Sequence, residues 1–387
     1  MLIAQRNYLR MANNLPFLAE ILPVVTRALE KDAEQVDRSG EFPKAAFSVL
    51  QQQGLLHFAL PLELGGGGGN LIDCQTIVQA VARGEPSAAL ILIMQYLHIR
   101  RLDDTSSWPE AIRRKVAASV IAEGALINAL RVEPELGTPA RGGLPATRAR
   151  RTSEGWRISG EKIYSTGSYG LSWMLVWASS DDADPLVGGY LVPAHAPGIT
   201  IIDEWDHLGM RGTCSHRVVL DDVLIPLDHA VNVAQWSEPR AGLNEEETLW
   251  MAVLLGSLYD AIAQSARDWF ITFLQQRAPA NLGAPLASLP RFHELVGRID
   301  TLLFTNQTLL SSAAHGHIAS GHAAQIKQVV TENAIRSVQL MVESIGNHAL
   351  TRHHPLQRHL RNVLCGRIHT PQDDAIFTSV GKSALSA

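Results

Sequence analysis

The sequence suggests chemistry most directly at a short polar turn near its middle. Tyr164, Ser165, Thr166 and Ser168 lie between a β-type stretch and the apolar run 173–178. The hydroxyls and backbone N–H groups of this turn could bind the polar edge of a flat ring system, and the Tyr164 ring could stack on its face. An ordinary hairpin turn between two strands explains the same pattern equally well.

Histidine side chains are the second kind of chemical candidate, among them His369 in the segment 368–371 near the C-terminus. Imidazole has an unperturbed pKa of about 6.5, so this residue could donate or accept a proton near neutrality. Because the chain has 15 histidines, any one of them is more often structural than catalytic. His353, His354 and His359 have no metal-like partners in the sequence, and we interpret them as surface or interface residues.

Helical and β-type patterns divide the chain into three parts that would position these groups. Apolar residues recur at helical spacing over 15–130, with one helix predicted over 109–129, and short β-type runs follow over 130–235. Helical patterns then return over 248–276, 289–315, 323–346 and 355–367. We therefore predict a mainly α protein with a central β domain: an N-terminal helical domain (1–129), a small β barrel or sandwich (130–235) and a C-terminal four-helix bundle (236–387).

Composition limits the classes of function. The 387 residues carry a net charge of -5, which gives no electrostatic argument for nucleic acid or an anionic membrane. No uninterrupted apolar run reaches the roughly 18 residues that cross a bilayer, and the N-terminus has no secretory pattern. Cys74, Cys214 and Cys365 are too widely spaced for a zinc site or a disulfide framework, so we expect a cytoplasmic protein without a metal. The glycine run 65–69 lacks the rest of a phosphate loop and predicts a flexible connector.

In the order of its parts and in its motifs, the chain resembles the acyl-CoA dehydrogenase superfamily over nearly its whole length. The stretches that carry the likeness are 42–66, 132–138, 160–167 and 208–226. The resemblance implies an acyl-CoA dehydrogenase-like fold and a homodimer or homotetramer. It also implies FAD, or reduced FMN or FAD as a diffusible cosubstrate, between the β domain and the bundle.

Position by position, the resemblance assigns cofactor-binding roles to the polar turn. Tyr164 takes the place of an aromatic residue against the flavin ring, Thr166 that of a hydroxyl near flavin N5 and O4, and Ser165 lies between them. Val132 and Thr138 fall on a loop that covers the flavin. Val132 replaces a common Thr and offers only its backbone.

The resemblance assigns a second group of residues to the ADP end of a flavin that a neighbouring subunit mainly binds. Arg277 is the basic residue of this group, and Gly346 and Asn347 occupy the place of a Gly-Gly pair. Asn347 thus departs from the family pattern. Pro290 stands where a Gln is common.

The usual catalytic glutamate of the family is absent. Thr370 occupies its register, and a Thr hydroxyl cannot act as that base. Some members place the Glu at the start of the first C-terminal helix, where Leu249 is the match and Glu247 is two residues away. Asp373 and Asp374 are interpreted as a helix N-cap.

Three functions remain open on this basis. The first is an acyl-CoA dehydrogenase-like oxidation of a CH–CH bond with hydride transfer to flavin N5. The second follows from an ending, 355–371, that resembles the superfamily's flavin-dependent monooxygenases, in which His369 and Thr166 would stabilise a flavin C4a-peroxide. The third is a degenerate flavin-binding or partner-binding subunit without turnover. The implied partners are a small-molecule substrate, possibly an acyl-CoA, and an electron-transfer flavoprotein or a flavin reductase.

Overall fold

The computed structural model describes residues 2–103, 108–137, 142–238 and 244–386, with side chains described for residue 14 and from residue 16 onward. Within these ranges the N-terminal part is helical: α1 (Leu2–Glu30), α2 (Ala33–Ser39), α3 (Lys44–Gln52), α4 (Leu71–Gly84), α5 (Pro86–Ile99) and α6 (Glu110–Glu123). Capping explains where two of them begin. Asn70 and Asp73 form a reciprocal capping box on α4, and the Glu85 carboxylate accepts the N–H of Ala88 on α5.

The central part is a sheet of β1 (Leu126–Leu130), β2 (Arg148–Arg151), β3 (Trp156–Lys162), β4 (Leu171–Ser180), β5 (Leu186–Pro193), β6 (Ile199–Ile202), β7 (Arg217–Ile225) and β8 (Ala230–Gln235). Its order is β6-β7-β3-β2-β4-β5-β8, and β1 pairs in parallel with β4. The polar turn connects β3 to β4, but β2 lies between these two strands. The hairpin interpretation of this turn is therefore wrong.

The helix predicted over 109–129 ends earlier than expected. α6 stops at Glu123 because Gly124 is left-handed, with a φ of 68°, and its N–H bonds back to the Ser119 carbonyl. Residues 126–130 then form β1, which packs against α5 and pairs with β4. A short apolar strand cannot be told from a buried helix by periodicity alone. The predicted domain boundary at 129 cuts through this strand.

The last part is helical again: α7 (Glu245–Gln276), α8 (Pro290–Ala314), α9 (Ala323–Ile345), α10 (Asn347–Leu350), α11 (Leu356–Leu364) and α12 (Asp373–Leu385). α7 is the central helix and packs against α4, α5, α8, α9 and α11. By length and composition α7 could cross a membrane, but most of its apolar stretch is buried inside the protein, as in the core helix of a bundle. The predicted order of helical, sheet and helical parts is confirmed.

The glycine run is not a flexible connector. The N–H groups of Gly66, Gly67 and Gly69 bond to backbone carbonyls of residues 57–61 at 2.8 to 3.2 Å. A Cβ on Gly66 would lie 2.1 Å from the carbonyl oxygen of Leu60, so the two backbone segments approach too closely for any side chain. The run is thus a packed element whose glycines permit close contact.

Candidate functional site

Tyr164 presents its ring at the surface of the sheet domain. Its φ of 55° lies in the left-handed region, which is uncommon for a residue with a side chain, and the residue is 55% exposed. The ring faces Trp205 and His207 edge-on, with centroids 6.3 and 6.0 Å away, and the latter two rings stack at 3.5 Å. These three rings form an aromatic cluster with accessible surface beside the polar turn.

The Thr166 hydroxyl begins a chain of hydroxyl groups. It lies 3.1 Å from the Ser215 hydroxyl, which lies 2.9 Å from that of Thr213. The Thr213 hydroxyl donates to the Met210 carbonyl, and the Asn128 amide donates to the Thr166 carbonyl at 3.0 Å. Thr166 is only half-buried, so its hydroxyl can take a partner from outside the protein.

Two further predicted residues adjoin this turn. Ser165 is buried, and its hydroxyl has no partner among the described residues. The Val132 carbonyl accepts the N–H of Ile163 at 3.0 Å, which places the start of the predicted covering loop directly against the turn. Thr138 lies outside the described residues. The structure thus brings Val132, Tyr164, Ser165 and Thr166 together.

A buried ion pair lies beneath the turn. The Lys162 ammonium contacts the Glu133 carboxylate at 2.6 Å and the Trp177 carbonyl at 2.5 Å, and the Thr147 hydroxyl donates to Glu133 at 2.6 Å. Burial lowers the pKa of Lys162 to about 8 although its bond to Glu133 opposes this. Burial by itself would raise the pKa of Glu133, but hydrogen bonds from Lys162 and Thr147 hold it below its usual value. The pair ties the segment after Val132 to the end of β3.

His369 lies in the C-terminal helical part, between α7 and α9. Its Nε2 is 2.5 Å from the hydroxyl of Tyr259, a fully buried residue of α7. The Lys327 ammonium, buried on α9, donates to the carbonyls of His369 and Pro371 at 3.0 and 3.1 Å. Burial, and then the charge of Lys327, lower the pKa of His369 to about 4, so the imidazole is neutral at pH 7. Thr370 is partly buried beside it.

Glu247 is placed as a capping residue. One carboxylate oxygen accepts the N–H of Asn244 at 3.2 Å, within the capping box that starts α7. The other oxygen pairs with Arg101 at 2.8 Å. Both oxygens are thus engaged, which disfavours Glu247 as a base. Asp373 and Asp374 follow the N-cap Gln372 in the first turn of α12, next to the cap position predicted for them.

The predicted ADP-end residues lie away from His369 within one chain. Arg277 follows the last residue of α7 and is exposed, as are Gly346 and Asn347 at the end of α9. Arg277 is 18 residues after Tyr259, which corresponds to roughly 27 Å along a helix. Arg277 can therefore contact His369 only through a ligand or a second subunit.

The sheet domain and the C-terminal helices are connected through the segment 208–215. Arg361 on α11 forms two hydrogen bonds to the Asp37 carboxylate and donates to the Leu208 carbonyl at 2.8 Å. The Asn362 side chain accepts the Met210 N–H at 2.8 Å. The hydroxyl chain from Thr166 ends at the same Met210. α11 therefore fixes the position of the sheet domain relative to the bundle.

His359 corrects one sequence expectation. It was expected at the surface or an interface, but it is buried on α11, and burial, followed by the charge of Arg358, lowers its pKa to about 3. Its position follows from the apolar face of α11, where Leu356 and Val363 are also buried. His353 is exposed as expected.

Several site residues were missed at the sequence level, namely Asn128, Glu133, Lys162, Tyr259 and Lys327. A usable signal was present for one of them: Tyr259 is a polar residue on a largely apolar stretch of helix. Such residues are buried only when a partner satisfies them. The partners themselves are distant in sequence and could not be identified from spacing.

The residues at the turn fit a flavin. The exposed Tyr164 ring, the half-buried Thr166 and the Ser165 hydroxyl, which has no partner among the described residues, belong to consecutive positions of the turn. A flat ring with polar edge atoms uses both kinds of contact. Tyr164, Ser165, Thr166 and the Val132 backbone would hold the ring.

Family models cover most of the chain. Each is named for a domain of acyl-CoA dehydrogenases: the N-terminal domain matches 17–102, the middle domain 131–223 and the C-terminal domain 259–373. The putative acyl-CoA dehydrogenase YdbM of Bacillus subtilis is 30% identical over 366 residues, covering 92% of this chain and 94% of the relative. The L-evernosamine nitrososynthase of a Micromonospora species is 27% identical, with 92% and 86% covered.

Solved structures share the fold over nearly the whole chain. KijD3 in complex with dTDP has a TM-score of 0.82 at 25% identity and covers 96% of both chains. A second KijD3 structure contains FMN and a dTDP-linked amino keto sugar. Butyryl-CoA dehydrogenase from Megasphaera elsdenii has a TM-score of 0.81 at 18% identity, which supports the fold alone.

Proposed function

The chain belongs to the acyl-CoA dehydrogenase superfamily and is a flavin-dependent oxidoreductase, and from this we propose that it is a monooxygenase that uses reduced flavin and oxygen. One observation carries the proposal. Where a dehydrogenase needs a free carboxylate, this chain has Thr370 beside a neutral His369. The alternative carboxylate, Glu247, has both oxygens engaged by Asn244 and Arg101.

The chemistry of oxygen transfer suits these groups. Bound reduced flavin would supply the two electrons that activate oxygen. One oxygen atom then enters the substrate and the other leaves as water, with two protons. This reaction requires hydrogen-bond donors and a way to move protons, but no base that removes a proton from carbon. The His369 imidazole is a donor of this kind. The Thr166 hydroxyl donates its one proton to Ser215, because Ser215 donates to Thr213 and Thr213 to the Met210 carbonyl, so its oxygen would accept a hydrogen bond from the flavin.

The relatives suggest which substrates to test first. Two curated relatives, at 27% and 25% identity, are nitrososynthases, one of them named for amino sugars. We therefore propose a small organic amine as the first substrate class, and a flavin reductase as the source of reduced FMN or FAD. A homodimer or homotetramer and a cytoplasmic location belong to the same proposal.

Acyl-CoA dehydrogenation is the second candidate. It is favoured by the putative acyl-CoA dehydrogenase that is 30% identical over 92% of the chain. In that case the FAD would be tightly bound and an electron-transfer flavoprotein would reoxidise it. The base would have to be Glu247, released from Arg101, or a group supplied by another subunit.

The yield of hydrogen peroxide per oxygen consumed tests the monooxygenase proposal. The purified protein is combined with a flavin reductase, NADH and FMN or FAD, and hydrogen peroxide per oxygen consumed is measured across a panel of amines. We expect at least one amine to lower peroxide release in the wild type, and His369→Ala to restore it. His353→Ala, which removes an exposed imidazole, is the matched control and should behave as wild type. Equal peroxide yields with every amine, together with reduction of bound FAD by an acyl-CoA, would support the second candidate.

Thr166→Val tests the hydroxyl at the flavin edge. The substitution keeps the shape and removes the hydrogen bond to the flavin, worth about 1 kcal/mol, so reduced flavin should bind about fivefold more weakly. Anaerobic titration with reduced FMN or FAD measures this affinity. An unchanged affinity and flavin spectrum would remove Thr166 from the flavin edge.

A further inference from the structure

The Tyr259 hydroxyl is the group by which α7 hydrogen-bonds to the side chain of His369. Tyr259 is fully buried, and burial raises the pKa of its phenol well above the usual value, so the hydroxyl keeps its proton. Its hydrogen-bond partner in the described part of the chain is Nε2 of His369, at 2.5 Å. The two rings lie 5.6 Å apart.

The direction of this hydrogen bond follows from what each group can donate. A neutral imidazole donates through one nitrogen and accepts through the other. If Nε2 carried the proton, it would donate to the Tyr259 oxygen, and the buried phenol proton would then have no acceptor. An unsatisfied buried donor costs about 1–3 kcal/mol. The hydroxyl of Tyr259 therefore donates, and Nε2 accepts.

The remaining nitrogen of His369 is then the proton carrier. Nδ1 has no hydrogen-bond partner among the described residues. Because it is also not one of their fully buried, unpartnered atoms, it reaches accessible space. Lys327 anchors the same segment through two backbone carbonyls, which fixes the ring's position relative to α9.

The charged and titratable neighbours favour a neutral imidazole. Lys327 from α9 is a cation close to the ring, and its charge disfavours protonation of His369. Cys365, in the turn before His369, is a thiol whose pKa burial raises to about 11. Asp373 at the start of α12 acts on Lys327 and raises its pKa, partly opposing the burial that lowers it. Arg367 is paired with Glu332 and is exposed.

We propose that Tyr259 is a positioning residue that holds His369 as the neutral tautomer protonated on Nδ1, so that His369 serves the reaction as a hydrogen-bond donor through Nδ1 and not as a base at Nε2. The role in the reaction rests on the proposed function. The tautomer does not, because it is a property of the free protein.

The wild-type protein tests the tautomer directly. In protein labelled with ¹⁵N-histidine, the ring nitrogens of His369 are assigned by comparison with His369→Asn. We expect Nδ1 to resonate in the protonated range and Nε2 in the unprotonated range, without change from pH 6 to pH 9. The Tyr259 hydroxyl proton should be observed as a slowly exchanging signal close to the ring. A protonated Nε2, or a ring that titrates near pH 6.5, would overturn the proposal.

The variant Tyr259→Phe tests the cause. It removes only the hydroxyl, and the ring of His369 should then appear as a mixture of the tautomers protonated on Nδ1 and on Nε2. The matched control is Tyr190→Phe, which also removes a buried hydroxyl, one that donates to the Leu186 carbonyl in the sheet domain. The control should keep the wild-type His369 signals. Unchanged His369 signals in Tyr259→Phe would refute the positioning role.

The role of Tyr259 in the reaction is measured by peroxide release, separately from the NMR spectra. With reduced flavin and an accepted amine, Tyr259→Phe should release more peroxide per oxygen than Tyr190→Phe. If no amine lowers the hydrogen peroxide released per oxygen consumed in the wild type, the proposed function fails while the tautomer result stands. If oxygen transfer occurs but Tyr259→Phe changes neither the tautomer nor the peroxide yield, the positioning role alone fails.

Discussion

The Lys162–Glu133 pair gives the sharpest prediction about stability, because it lies in the interior beneath the residues proposed to hold the flavin ring. The two side chains are 0% and 3% exposed. Lys162→Met removes the ammonium and keeps an apolar stem of similar length. Glu133 then retains the N–H groups of Ala146 and Thr147 and the Thr147 hydroxyl, but it loses its counter-ion.

The size of the effect follows from leaving one charge buried without its partner. Breaking a buried pair in this way costs about 3–5 kcal/mol. Because three hydrogen bonds to Glu133 remain, we expect Lys162→Met to lower the free energy of unfolding by about 3 kcal/mol. Glu133 should then take up a proton more readily, since its pKa rises without Lys162, so the deficit should be larger at pH 8 than at pH 5.5. The double variant Lys162→Met/Glu133→Gln should recover about 1 kcal/mol or more.

Urea unfolding followed by tryptophan fluorescence measures these differences. The matched control is Arg298→Met, which breaks the exposed pair with Glu294 on α8, where the side chains are 67% and 66% exposed. Exposed pairs contribute little, so the control should stay within about 0.5 kcal/mol of wild type. A Lys162→Met variant as stable as the control would refute the reasoning, and so would a deficit that does not change with pH.

Two further predictions concern the rest of the fold. Burial lowers the pKa values of His98, His359 and His369 to about 4, 3 and 4, below the ordinary 6.5. The unfolded chain therefore binds protons first as the pH falls, and stability should drop below pH 6.5 by up to about 4 kcal/mol per pH unit. Urea midpoints that stay flat between pH 6.5 and pH 5 would contradict this. Gly66→Ala should destabilise the protein by about 1–3 kcal/mol because the added Cβ meets the backbone of Leu60. Gly381→Ala, on the open side of α12, should be neutral or stabilising. Thermal melting of both variants measures the difference.

The sequence was sufficient for features that lie within one local pattern. Tyr164, Ser165 and Thr166 are consecutive, so the sequence places them on one turn, and their role against a flat ring stays a prediction. The order of helical and β-type patterns gave the layout of the three parts. These inferences succeed because the information is local: side-chain period, turn residues and spacing along one strand.

Tertiary contacts explain what the sequence could not show. The hydroxyl of Tyr259 meets a residue 110 positions later, and no spacing rule connects them. The glycine run was expected to be flexible from composition, yet its backbone is bonded to the preceding loop. His359 was expected at the surface or an interface because it has no metal-like partner in the sequence, but the apolar face of α11 buries it. In each case the packing partner decides the outcome.

Anaerobic mixing with acyl-CoA tests the central claim most directly. The protein is loaded with oxidised FAD, and the flavin absorbance is followed after addition of acyl-CoA thioesters of short, medium and long chain. Thr370 has no carboxylate, and both carboxylate oxygens of Glu247 are engaged by Asn244 and Arg101. We therefore expect that no thioester bleaches the flavin, whereas the same protein binds reduced flavin and reacts with oxygen. Rapid bleaching by any thioester would contradict the account and establish a dehydrogenase.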